Sequence, residues 1–240
     1  RSQIIEDLRD NLSNVGQRVT VDQKTGAITF ESSVLFDTGK NEIKEAGKWT
    51  LNSCIPIYIH TLLGEEYRVA ECGMNARTTS FDDPFRDYLN GRHGLVHCMV
   101  AAKPVDLLII SLGTNDLKYG TVYRSAKGLD ALLDVAVHAN TYMPGSSPVY
   151  RDEPRILVIS PIALHEELDR KFPGHEMNGK LDDSRKFAAV YREVCQKWQV
   201  YFLDAAQTAS ASEIDCVHMD AVSHAALTEE VYHAVQKIMR

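Results

Sequence analysis

From about residue 65 to the end of the chain, short apolar runs alternate with longer stretches in which apolar residues recur every three or four positions. That alternation is the pattern of strands joined by crossover helices in a parallel sheet. Four runs read as strands: Tyr67-Arg68-Val69-Ala70, Val105 to Ser111, Arg155 to Ser160, and Val200 to Leu203. The second and third are almost continuously apolar, as central strands covered on both faces are. The helical segments are 123 to 140 (Leu129, Leu132, Leu133, Val135, Val137), 182 to 198 (Phe187, Val190, Tyr191, Val194, Trp198) and 224 to 239. The predicted fold is α/β, a three-layer α/β/α sandwich with a mainly parallel sheet.

The first 64 residues follow another pattern. Ile4, Ile5, Leu8 and Leu12 mark a short amphipathic helix, Arg18 to Val21 and Ala27 to Phe30 read as strands around the turn Asp22-Gln23-Lys24-Thr25-Gly26, and Glu42 to Leu63 reads as helical. With 240 residues the chain holds one large or two small domains at about 150 residues each. Lys plus Arg is 26 and Asp plus Glu is 33, a net charge of −7 that argues against a nucleic-acid partner. No run approaches the roughly 18 apolar residues of a membrane span. The opening residues lack the basic start, apolar stretch and cleavage site of a secretory signal, so a cytoplasmic location is expected. The absence of an initiator Met leaves open a removed leader or upstream domain. Five widely spaced cysteines, Cys54, Cys72, Cys98, Cys195 and Cys216, form no CxxC pair and imply neither a disulfide framework nor a zinc site.

Candidate chemistry clusters just past the carboxyl ends of strands, where α/β proteins keep their sites. One cluster runs from Glu71-Cys72-Gly73-Met74-Asn75-Ala76-Arg77-Thr78-Thr79 to Asp82-Asp83-Pro84; a second is Ser111-Leu112-Gly113-Thr114-Asn115-Asp116; a third is Asp215-Cys216-Val217-His218 with Asp220. In the third, an Asp three residues before a His can hold one ring nitrogen and leave the other free as a base. An N-capping Asp215 with an exposed His218 is the alternative. In the second, Asn115 can aim amide donors at a developing oxyanion, or belong to an ordinary Asn-Asp turn. Gly73 could bring a backbone N–H close to a ligand.

Over about residues 62 to 240 these three clusters, with Lys103 to Leu107, Ser160-Pro161-Ile162 and Phe202 to Ala206, resemble the SGNH (GDSL-like) hydrolases, in particular their arylesterase and acyltransferase branch. The resemblance implies a flavodoxin-like α/β/α fold and a serine esterase or acyltransferase that works on small esters with no metal or organic cofactor. By position it makes Asp215 and His218 members of a catalytic triad and Gly73 and Asn115 oxyanion donors. It also implies homo-oligomers, since relatives in this branch often assemble through loops. The family's Asp-Gly-Val-His reads Asp-Cys-Val-His here, and its Gly-Asp-Ser nucleophile motif is absent. The nearest substitute is Ile28-Thr29-Phe30-Glu31-Ser32-Ser33, which puts Ser33 at the nucleophile position, 40 residues before Gly73, with Ser32 as second candidate.

Residues 1 to 62 resemble instead the start of an outer-membrane-protein-A-like, motor-protein-B-type domain, through Phe30 to Lys40, Ile43-Lys44 and Ile55 to Ile59. The residues with which that family grips peptidoglycan have no counterpart, so peptidoglycan binding is not carried over. The expected organisation is a segment of different lineage, 1–62, supplying the first strand and helix to a hydrolase-like domain, 62–240. The rival functional reading is an SGNH-fold scaffold that lost its nucleophile in the splice. His60, His93, His97, His138, His165, His175, His224 and His233 show no metal-ligand spacing. Asp82-Asp83 and Asp182-Asp183 read as turn or cap residues, and Arg77 as a pocket or structural arginine.

Overall fold

The computed structural model describes residues 19–21, 28–30, 59–60, 62–142 and 147–240. The chain divides into two compact units, Arg1–Asn75 with Met219–Val235, and Ala76–His218 with Gln236–Arg240.

In the first unit, β1 (Val19–Val21) and β2 (Ile28–Phe30) pair antiparallel, Val19 facing Phe30 and Val21 facing Ile28. The hairpin is the one the turn residues predict. The strand expected near residues 26–32 to complete the parallel sheet is thus hydrogen-bonded to β1 in a separate two-stranded sheet.

The second unit is built on α1 (Gly91–Ala102), β3 (Leu108–Ile110), α2 (Val122–Val137), β4 (Ile156–Ser160), α3 (Phe187–Trp198) and β5 (Tyr201–Asp204). Its strands are parallel in the order β3-β4-β5, with Ile110 beside Val158 and Ser160 beside Asp204. β4 lies in the middle with all five residues buried, which is why its sequence is continuously apolar up to Ser160. Leu129, Leu132 and Leu133 of α2 and Phe187, Tyr191 and Cys195 of α3 pack on Ile110, Ile156 and Val158 as one core. α2 ends at Val137, and a further helical turn, Ala139–Tyr142, follows. A final helix, α4 (Ala221–Met239), buries Leu227, Val231, Val235 and Ile238 at helical spacing.

The expected strand Tyr67 to Ala70 is not formed. The run has no regular secondary structure, with Tyr67 and Val69 half-buried and Arg68 and Ala70 exposed. Of the expected helix Glu42 to Leu63, the described residues Ile59, His60, Leu62 and Leu63 are helical, and the rest of that expectation lies outside the described residues. The amphipathic segment around Ile4 to Leu12 lies outside the described residues. No helix is long and apolar enough to cross a membrane among the described residues.

Candidate active site

The loop after β3 is shaped by a glycine. Gly113 has φ +138, a region only glycine enters at low cost, and a Cβ there would overlap the Tyr191 hydroxyl and come within 3.0 Å of Pro161. Its carbonyl accepts from the Asp116 N–H at 3.0 Å, starting the 3-10 turn Thr114–Lys118. Asn115, on that turn, donates from Nδ2 to the Arg77 carbonyl at 3.2 Å. Asp116 is buried and accepts from the Thr79 N–H at 3.0 Å and the Thr79 hydroxyl at 2.5 Å. Burial pushes the Asp116 carboxyl up to about 6, against the two Thr79 hydrogen bonds. The 77–79 segment and the 114–118 turn are therefore stitched together at two adjacent residues.

A second stitch joins the Asp82-Asp83-Pro84 loop to the same turn. Asp83 accepts from the Tyr119 hydroxyl at 2.5 Å, the Phe85 N–H at 3.0 Å and the Arg86 guanidinium at 3.3 Å. Burial alone would raise its carboxyl, but these donors hold it at about 2. Asp82 accepts from Asn90 at 2.8 Å. The turn-residue reading of this pair accounts for Phe85 and Arg86, whereas the tie to Tyr119 is long-range. Asp182 and Asp183 lie in the first turn of the short helix Leu181–Ser184 without capping it, and pair with Arg185 and Lys186 three residues on.

The segment after β5 makes its own geometry. Asp215 Oδ1 accepts from the Val217 N–H at 3.0 Å and the His218 N–H at 2.9 Å, and Oδ2 lies 2.6 Å from His218 Nδ1. Burial pushes the Asp215 carboxyl up, but the His218 ring and the backbone donors outweigh it and hold it below its ordinary value. Asp215 is thus ionised at neutral pH. With Nδ1 directed at a carboxylate, Nε2 of His218 is free to take a proton. Cys216, between them, has φ +64 and is completely buried. The backbone adopts here the left-handed conformation in which glycine is at ease, and a buried cysteine occupies it. The Ser212 N–H closes the segment on itself by donating to the His218 carbonyl (2.8 Å), and the His165 N–H, donating to the Cys216 carbonyl (2.9 Å), ties it to the loop that follows β4. His175 is within electrostatic reach of Asp215 and His218, and its Nδ1 accepts from the Met177 N–H at 3.2 Å.

Of the residues the sequence singles out, Asp215 and His218 are brought together, and Asn115 sits half-buried on its turn. Gly73 belongs to the other unit, where it is exposed with open space around its Cα. Ser33 and Ser32 lie outside the described residues. Arg77 contributes its carbonyl to Asn115, while its guanidinium lies within 3.3 Å of where a Cβ on Gly94 would stand. Among the described residues no cluster of three His, Cys, Asp or Glu could hold a metal. Sequence reasoning missed Ser125 and the hydroxyl of Tyr191, and it placed Thr79 in a cluster without pairing it with Asp116. Tyr191 stood out only as one apolar position in a helical stripe.

A profile of the GDSL-like Lipase/Acylhydrolase family matches residues 46–226, and the chain belongs to that family. Its fold is the α/β sandwich of the SGNH hydrolases, and its activity class is carboxylic ester hydrolysis. Among solved structures it is similar to a carbohydrate acetylesterase from Sinorhizobium meliloti, with 28% identity and a TM-score of 0.69 over 78% of this chain and 86% of that one. The aryl esterase of M. smegmatis matches at 28% identity and a TM-score of 0.69, over 77% of this chain and 85% of that one. A carbohydrate acetylesterase family member from Sinorhizobium meliloti matches at 28% identity and a TM-score of 0.69, over 77% of this chain and 86% of that one. No curated protein matches. The family match begins at residue 46, beyond Ser33 and ahead of the boundary expected at residue 62.

Proposed function

We propose that the chain hydrolyses small esters through an acyl-enzyme. His218 acts as general base and then general acid, Asp215 orients it, and Ser33 is the nucleophile. The observation that carries this reading is the 2.6 Å contact between His218 Nδ1 and an ionised Asp215, which leaves Nε2 as the proton acceptor. Ser33 and Gly73 enter on the family resemblance.

In the first half-reaction Ser33 Oγ forms a bond to the ester carbonyl carbon and its proton passes to His218 Nε2. The tetrahedral intermediate collapses, the C–O bond to the alcohol breaks, and His218 returns the proton to the departing oxygen. Water then repeats the sequence in reverse and releases the acid; an alcohol in its place would give acyl transfer. Asn115 uses one amide proton to hold the Arg77 carbonyl and offers the second to the oxyanion, together with the Gly73 and Ser33 N–H groups. That one structural relative is a carbohydrate acetylesterase supports a short acyl group.

Rapid mixing with p-nitrophenyl acetate tests the reading. A burst of nitrophenolate equal to the enzyme concentration, absent in His218→Ala, is expected, with product partitioning to an ester when a short alcohol is added. A folded wild-type chain that turns over no faster than His218→Ala would be the family's fold without its nucleophile.

A further inference from the structure

The Asn115 turn depends on a glycine, and a glycine permits a conformation without enforcing it. With φ +138 and ψ −32, Gly113 could relax to many other states, because glycine pays no steric penalty for leaving. What surrounds it is two hydroxyls. Tyr191 of α3 donates to the Leu112 carbonyl at 3.0 Å, and Ser125 of α2 lies 3.3 Å from the Gly113 carbonyl. The two hydroxyl oxygens are 2.7 Å apart. Both residues are completely buried, and the tyrosine hydroxyl occupies the volume that a side chain at position 113 would need.

Proton counting decides how the cluster works. Two hydroxyl protons serve three oxygen–oxygen contacts, so one contact has no proton. The 2.7 Å contact between the hydroxyls needs one, and the 3.0 Å bond from Tyr191 to Leu112 is shorter than the 3.3 Å alternative from Ser125 to Gly113. The favoured arrangement is a relay, with Ser125 donating to Tyr191 and Tyr191 donating to Leu112. The Gly113 carbonyl already accepts from the Asp116 N–H. Burial keeps the Tyr191 phenol protonated at any working pH, so it always donates.

We infer that Tyr191, backed by Ser125, is a positioning residue for ester hydrolysis: by holding the Leu112–Gly113 peptide it sets the direction in which the Asn115 amide points. The inference rests on the proposed oxyanion role of Asn115. It assigns Tyr191 no contact with substrate. Tyr191→Phe keeps the ring and its edge-to-face packing on Phe187, at 5.4 Å between centroids, and removes only the hydroxyl.

The test is a double-mutant cycle on kcat and KM for p-nitrophenyl acetate, with thermal unfolding confirming that each variant is folded at the assay temperature. Tyr191→Phe should lower kcat about tenfold with KM changed less than about twofold, the split expected when an interaction made only in the transition state is weakened. Ser125→Ala, which leaves the bond from Tyr191 to Leu112, should lower kcat about threefold, and it serves in place of the tyrosine variant if that one does not fold. In an Asn115→Ala background neither change should cost more than about twofold, because the group they aim is gone. Independent, multiplicative losses would overturn the inference, as would an unchanged kcat in Tyr191→Phe when Asn115→Ala is impaired. An Asn115→Ala enzyme with full kcat would instead overturn the oxyanion reading itself, and the inference with it.

Discussion

The two halves of the proposed site are held in opposite ways. Asp215-Cys216-Val217-His218 is closed on itself: one carboxylate takes two backbone N–H groups and a ring nitrogen, all within three residues. The Asn115 turn is held from outside, by Arg77, Thr79 and Tyr119 with Asp83 on one side and by Tyr191, backed by Ser125, on the other. A self-closed segment can carry its chemistry wherever its ends are anchored. An externally held turn inherits its geometry from the packing of two helices, and it is the half that distant substitutions should disturb.

The largest expected effect falls on the self-closed half. Asp215→Asn should lower kcat by about 10⁴, since an amide neither fixes the required tautomer nor stabilises the imidazolium. Steady-state kinetics on a folded variant checks it, and a loss below about tenfold would show that the contact is only a cap. The same carboxylate makes a stability statement. Its folded pKa lies below the unfolded value, so its contribution is present above about pH 4 and is lost as pH falls through the folded value. On the externally held half, Asn115→Ala should reduce kcat by about 10² to 10³, or about 2.7 to 4 kcal/mol of barrier, with little change in KM. Equal kcat in variant and wild type would remove Asn115 from the oxyanion site.

Asp116 sharpens the comparison through pH. Its folded value of about 6 lies above the unfolded one, so the folded chain binds the extra proton between the two. Stability from this group therefore falls as pH rises from about 4 to about 6 and is flat above, by about 3 kcal/mol for about two pKa units. In Asp116→Asn that slope should disappear, as urea unfolding at pH 4.5 and pH 7 would reveal; parallel slopes in the two proteins would refute the assignment. The smallest effect belongs to Cys216→Gly. Relief of left-handed strain, about 1 to 2 kcal/mol, nearly offsets the lost burial of the thiol, and the net destabilisation should stay under about 1 kcal/mol. A loss above about 2 kcal/mol in chemical denaturation would mean that the cysteine sits there without strain.

The same contrast explains what could be read in advance. β4 was visible because burial on both faces leaves a continuous apolar run, and the Asp215–His218 pair because three-residue spacing is a local geometry. Tyr191 was visible only as an apolar position of α3, since the carbonyl its hydroxyl meets lies 79 positions earlier. Thr79 and Asp116 are likewise 37 positions apart, and nothing in either segment names the other. The run Tyr67 to Ala70 carries a strand-like alternation, yet alternation describes one segment and a strand requires two. At Cys216 the replacement of the family's glycine pointed to an ordinary backbone conformation, yet the cysteine keeps the left-handed one, with φ +64.

The most direct test of the central claim is labelling of the folded chain with a fluorophosphonate, followed by mass spectrometry of the modified peptide. The account predicts one label per chain on Ser33, or on its neighbour Ser32, lost in His218→Ala. No label, or a label indifferent to His218, would contradict it: the Asp215–His218 pair would then stand in a hydrolase fold without a serine to activate.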